Sequence, residues 1–173
     1  MAPQSDRTRL IAGATRRGRG RRPVNPPIER GSTLLNDSAA AMREPGPVPV
    51  YGIEDLGAAS ELRAALSDLE GATWTGLVPS GLAAVTVPIT ALTRPGDEVL
   101  TTDAVYGPSR RFLTRHMAAR GVNARFHDAD ASAGSVIAGL TDRTRILLIE
   151  SPSSLTFEMQ DVAAVTDACR ARG

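Results

Sequence analysis

Regular hydrophobic spacing begins after Tyr51. In AASELRAALSDLEG, Leu62, Leu66 and Leu69 recur at i, i+4 and i+7, which predicts an amphipathic helix closed by Gly71. The apolar run TGLVP, residues 75–79, predicts a short buried strand. SGLAAVTVPITALTRPGD then sets Leu82, Val85, Ile89 and Leu92 on one helical face, with Ser80 as N-cap and Pro95-Gly96 as the stop. Pro88 inside that pattern should bend the helix or cost stability. The rhythm repeats with DEVLTT as strand, GPSRRFLTRHMAARG as a helix ending at Gly121, VNARFHD as strand, a short helix around SVIAGL, RILLIES as strand and DVAAVTDACRARG as helix. Such alternation predicts an α/β domain, a mainly parallel sheet with helices on both faces. Ligands of such sheets bind outside the carboxyl ends of the strands. VPSG, DAVYGPS and ESPSSLT each follow a predicted strand, so they should converge on that edge.

Ahead of Tyr51 the periodicity is absent. Residues 1–22 hold seven arginines and one acid, Asp6, and predict a flexible Arg/Gly-rich tail. Residues 23–50 are broken by prolines and predict an extended arm, leaving 51–173 as the folded part. Nucleic-acid binding by the tail is disfavoured because no aromatic side chains are interleaved for stacking. The last predicted helix ends in Arg-Gly with no strand after it, so the pattern reads as interrupted at Gly173.

At 42% hydrophobic and 23% charged residues, with net charge +1, the chain reads as soluble and globular, with no whole-chain bias toward an acidic partner. No window approaches the roughly 18 to 20 apolar residues of a membrane span. Arg16-Arg17 has no apolar segment behind it, which argues against export. A single cysteine, Cys169, allows no internal disulfide and fits a cytoplasmic location. All 20 basic residues are arginine. Chemistry that needs a lysine amine is therefore closed to these residues.

Ser80-Gly81 is by itself an ordinary capped turn, although free N–H groups at a helix start also suit an anion. Neither a G-x-G-x-x-G run nor a Walker lysine supports nucleotide binding. Tyr106, one of two tyrosines, stands between a strand and Gly107-Pro108, where a surface turn residue is equally expected. His116 and His127 have no metal-ligand spacing around them. Cys169 lies on an Ala/Val helix face as a small core residue. Ser151, Ser153 and Ser154 lack the G-x-S-x-G elbow of a hydrolase nucleophile.

Taken in order, VNPPIERGSTLL, the YG at Tyr51, LEG ending at Gly71, VPSGLAAV, RPGDEVLTTDAVYGPSRRF and IESPSSLTFEMQDV resemble the N-terminal half of the Cys/Met-metabolism pyridoxal-phosphate enzymes. Within that family the bacterial cystathionine beta-lyases are most similar. The resemblance covers roughly residues 23 to 173. It implies the fold-type I (aspartate aminotransferase-like) large domain, truncated, and pyridoxal 5'-phosphate as cofactor. By the same implication, backbone N–H groups at Ser80, Gly81 and Leu82 hold the cofactor phosphate, Tyr106 stacks on the pyridine ring and steers proton or leaving-group chemistry, and Ser154 lies close to the cofactor. Tyr51 would reach the phosphate of a neighbouring subunit, implying a homodimer or homotetramer.

The implied reaction is cleavage of cystathionine to homocysteine, pyruvate and ammonia. Two departures stand out. Ile53 occupies a position where the family often carries an arginine, which removes a bidentate phosphate contact. The family's Schiff-base lysine, its pyridinium-binding aspartate and its C-terminal domain have no counterpart in these residues, so the chain alone is expected to be inactive. Ser154-Leu155 stands where gamma-synthases and gamma-lyases usually carry Asn-Pro, which disfavours those enzymes. A noncatalytic remnant that binds a phosphate-bearing ligand or a partner subunit is the reading from a different class.

Overall fold

The computed structural model describes residues 5, 27–36, 38–43, 51–53 and 56–172. Apart from Ser5, the Arg/Gly-rich tail lies outside the described residues. The chain divides into two compact units, Met1–Leu77 and Val78–Gly173.

In the first unit a short 3-10 turn, Ala41–Arg43, falls within the predicted arm, and Thr33 forms an isolated antiparallel bridge with Tyr51. Helix α1, Gly57–Glu70, ends where Gly71 takes a left-handed φ of 63°, as a C-terminal glycine does at low steric cost. The helix forms as its periodicity predicts. Its leucine stripe is not buried, however: Leu62 is 50% exposed, and no residue of α1 is fully enclosed.

The second unit is the α/β body. Helix α2, Gly81–Leu92, starts at Ser80, whose hydroxyl accepts the Ala83 N–H at 3.1 Å. It ends at Leu92, ahead of the expected Pro95-Gly96 stop. There the Asp97 carboxylate accepts the Arg94 N–H at 2.7 Å and Gly96 adopts φ 97°. Pro88 is exposed and sits inside the helix without ending it. Strand β1, Glu98–Thr102, follows. Helix α3, Gly107–Arg111, continues into a π-helical stretch, Phe112–Met117, and a 3-10 turn, Ala118–Arg120, closed by Gly121 at φ 78°. Strand β2 is Asn123–His127, helix α4 Ala133–Ala138, strand β3 Thr144–Leu148 and helix α5 Val162–Arg172.

The three strands are parallel in the order β2-β1-β3, so β1 is central and buried along its whole length. One irregularity sets the faces. Glu98 pairs with Thr144 but Val99 with Ile146, so the bulge skips Arg145 and turns Ile146 to the same side as Val99 and Ala124. On that side Val99 packs with Ile89 of α2, Leu113 and Met117 of the π-helical stretch, and Val122. Each such apolar side chain contributes about 1.5–3 kcal/mol on burial. On the opposite side Leu100 approaches Gly139 at the end of α4, where Arg125 also donates to the Gly139 carbonyl at 2.8 Å. Helices therefore cover both faces of the parallel sheet.

One expectation is corrected. TGLVP is not a strand: residues 75–79 are irregular, and Leu77 and Val78 are 42% and 39% exposed. A strand exists through its ladder, and this stretch pairs with none of the described strands; Pro79 also lacks an N–H to give. The predicted α2 face is likewise buried only in its middle. Ile89 is enclosed and Val85 half-buried, while Leu82 and Leu92 at the two ends remain exposed.

Candidate cofactor site at the carboxyl edge of the sheet

Helices that alternate with parallel strands run back against them, so α2 and α3 both begin at the carboxyl edge. They also pack on each other. At the start of α2 the first turn is incompletely bonded. Ser80 satisfies Ala83 through its hydroxyl and Ala84 through its carbonyl at 3.0 Å. The N–H groups of Gly81 and Leu82 have no partner among the described residues, as expected for the first turn of a helix. Nothing lies within 4 Å of where a Cβ on Gly81 would stand. The positive end of this 12-residue helix is thus open to an anion.

The turn between β1 and α3 places Tyr106. Thr102 closes it, its hydroxyl accepting the Ala104 N–H at 3.2 Å and its carbonyl the Val105 N–H at the same distance. Val105 points inward and is buried, which turns the next side chain outward, and Tyr106 is 49% exposed. Its backbone N–H donates to Glu150 Oε2 at 3.0 Å. The other oxygen, Glu150 Oε1, accepts the Ser154 hydroxyl at 2.6 Å, and the Ser154 N–H donates to the Ala104 carbonyl at 3.1 Å. Glu150 therefore binds the turn after β1 to the loop after β3.

That loop is closed on itself. Ser153 is buried, donating its hydroxyl to Glu158 Oε2 at 2.8 Å and its N–H to the Glu158 carbonyl at 2.9 Å. The Thr156 and Ser153 hydroxyls hold the Glu158 carboxyl below its ordinary range. At the crown of the loop Leu155 and Phe157 take left-handed φ values of 69° and 61° and are 91% and 71% exposed. Such angles are uncommon for side chains of this size.

A cleft of about 610 Å³ opens at the same edge, lined by Asp103, Arg110, Asp128, Ser154, Leu155 and Glu158 among others. Arg110 stacks 4.1 Å above the Phe126 ring and donates to the Asp103 carbonyl at 2.7 Å. Ser154 is the sequence-predicted residue that enters this cleft; Ser80, Gly81, Leu82 and Tyr106 lie outside its lining. Tyr51 belongs to the first unit, 42% exposed beside Gly52, whose N–H donates to the Ser32 carbonyl at 2.7 Å; Ile53 is 78% exposed. His116 stacks on Phe112 with ring centroids 5.3 Å apart, and His127 Nδ1 meets the Asp128 carbonyl at 2.9 Å. Among the described residues no three His, Cys, Asp or Glu side chains converge as a metal site. Cys169 is a half-buried free thiol.

Residues 7–173 match the model of the Cys/Met metabolism PLP-dependent enzymes. The chain belongs to this family. Cystathionine beta-lyase MetC of Escherichia coli is 35% identical over 153 residues, covering 85% of this chain and 38% of that protein. The solved cystathione gamma lyase CalE6 of Micromonospora echinospora superposes with a TM-score of 0.80 at 29% identity, over 99% of this chain and 43% of that one. A metB structure from Corynebacterium glutamicum reaches a TM-score of 0.84 at 22% identity, over 97% and 43%, and speaks to the fold. The fold is the type I fold of pyridoxal-phosphate enzymes, and the family's cofactor is pyridoxal 5'-phosphate. The chain spans well under half the length of the curated relatives it matches first, between 38% and 44%.

The residues present fit part of that cofactor. Two unpaired N–H groups at a helix start suit a phosphate, and an exposed phenol ring on a fixed turn suits a pyridine face. No lysine stands among the 173 residues to bind the aldehyde. Sequence reasoning missed Glu150 and Arg110. An acid directly after an apolar strand and ahead of three serines, in IESPSS, was the available signal for Glu150.

Proposed function

We propose that this chain forms the phosphate-cradling and ring-stacking part of a pyridoxal-phosphate-dependent carbon–sulfur lyase acting on cystathionine. The observation that carries it is the pair of free N–H groups of Gly81 and Leu82 at the open start of α2, in a chain of this family. When bound, the cofactor supplies an electron sink for loss of the substrate's α proton and release of the sulfur leaving group. Ser80 keeps the first turn of α2 open by capping Ala83 instead of Gly81 or Leu82. Tyr106 offers its ring face to the pyridine, and its hydroxyl is free to hold or pass a proton near the leaving group. Ser154 stands close to the cofactor, tied to the turn that carries Tyr106 through Glu150. Tyr51 serves the phosphate of a neighbouring subunit in a cytoplasmic homo-oligomer, with Ile53 giving no guanidinium there. Ser154-Leu155 favours the beta-lyase over the gamma enzymes.

Pyridoxine 5'-phosphate, which needs no amine, should bind saturably to the chain, be competed by inorganic phosphate, and show quenched ring fluorescence from stacking. Absence of saturable binding would overturn the proposal. After incubation with pyridoxal phosphate and borohydride, mass spectrometry should find no adduct on any side chain, and the chain alone should not cleave cystathionine.

A further inference from the structure

We infer that Glu150 is the positioning residue of this site, a carboxylate that holds Tyr106 and Ser154 in one fixed relation through its two oxygens. The inference rests on the cofactor reading above. Glu150 Oε2 accepts the Tyr106 N–H at 3.0 Å and Oε1 the Ser154 hydroxyl at 2.6 Å. The two acceptors belong to one rigid planar group, so fixing one contact fixes the other. The Ser154 N–H on the Ala104 carbonyl at 3.1 Å closes the second side of the same ring. Among the described residues no other hydrogen bond restrains the Tyr106 backbone from its N-terminal side: its own carbonyl is engaged forward, by Arg110 N–H at 3.0 Å. An ionised carboxylate is the acceptor that suits this place. It can receive two hydrogen bonds at once, and bonds to a charged acceptor are shorter and stronger than neutral ones. Glu150 lies just past the end of β3, in the loop itself, so its two hydrogen bonds join that loop to the turn after β1. It points its oxygens at a backbone N–H and a hydroxyl and leaves the Tyr106 ring free. The phosphate cradle on α2 receives no contact from it, and the two halves of cofactor recognition are therefore separable.

The test compares wild type, Glu150→Ala and Glu150→Gln with two probes, pyridoxine 5'-phosphate and inorganic phosphate. In Glu150→Gln the amide can still accept from Tyr106 through its carbonyl and donate to the Ser154 oxygen, whereas the alanine methyl can do neither. Glu150→Ala should weaken pyridoxine 5'-phosphate about tenfold or more, the scale of a lost hydrogen bond to a charged group, with phosphate affinity unchanged. Glu150→Gln should recover most of that loss. In wild type, the Tyr106 amide proton should lie downfield, as for a hydrogen bond to a carboxylate, and move upfield in Glu150→Ala. Equal weakening of both probes, no rescue by glutamine, or a Tyr106 amide that ignores Glu150 would each overturn the inference. If wild type binds neither probe while the amide still tracks Glu150, the cofactor reading fails and the tie between the loops stands.

Discussion

The two ends of the central strand β1 treat their polar groups in opposite ways. At its amino end Glu98 is 3% exposed and fully matched. Thr141 donates to it at 2.6 Å, Arg143 reaches it at 2.8 Å and Arg125 at 3.5 Å. At the carboxyl end the polar groups are organised but left available: the Tyr106 ring projects outward, and the Gly81 and Leu82 N–H groups of neighbouring α2 have no partner among the described residues. A polar group matched inside the protein serves stability, because leaving it unmatched costs desolvation. An exposed polar group held in place without a protein partner is open to water or to a ligand. The amino end of this sheet is therefore structural, and the carboxyl end is where we propose the site.

The largest effect should come from unbalancing the amino end. Glu98→Gln removes the charge that faces Arg143 and Arg125, and its melting temperature at pH 7 should fall more than that of any substitution at the carboxyl edge. The Thr141 hydrogen bond foremost, with the two guanidinium groups, holds the Glu98 carboxyl below its ordinary value of 4.5. A depressed carboxyl stabilises the fold above the unfolded-state value and loses that contribution as pH falls through the folded value. The stability gap between wild type and Glu98→Gln should accordingly stay constant from pH 7 to about 5 and shrink below 4.5. A gap that widens in acid would remove the structural role. Glu158, also depressed, is common to both proteins and cancels in the difference.

Ser80→Ala comes next, at about 1 kcal/mol in urea unfolding for the lost cap, with a loss of phosphate binding as the first turn of α2 frays. Smallest in stability is Tyr106→Ala, expected within about 0.5 kcal/mol of wild type because the ring is half exposed. Pyridoxine 5'-phosphate binding should nevertheless suffer strongly. If Tyr106→Ala destabilised the fold as much as Glu98→Gln, the contrast between the two ends would collapse.

The sequence alone determined the strand–helix alternation from β1 onward, the Ser80 cap and the glycines that end α1 and the helix before β2. These are local matters: periodicity, a hydroxyl within reach of the next turn, and a left-handed angle that glycine adopts without strain. It also determined that no lysine chemistry resides in these residues, since composition needs no geometry. What it misjudged was TGLVP, whose apolar run resembles a strand but whose state depends on a neighbour to bond with. Only the tertiary structure decided that β1 is the central strand, that the bulge at Arg145 turns Ile146 toward Val99, and that Glu98 is enclosed among arginines distant in sequence. The same holds for Glu150, 44 residues from the tyrosine it holds. Hydrogen bonds of that span follow from which strands lie side by side, and strand order leaves no local signature in the chain.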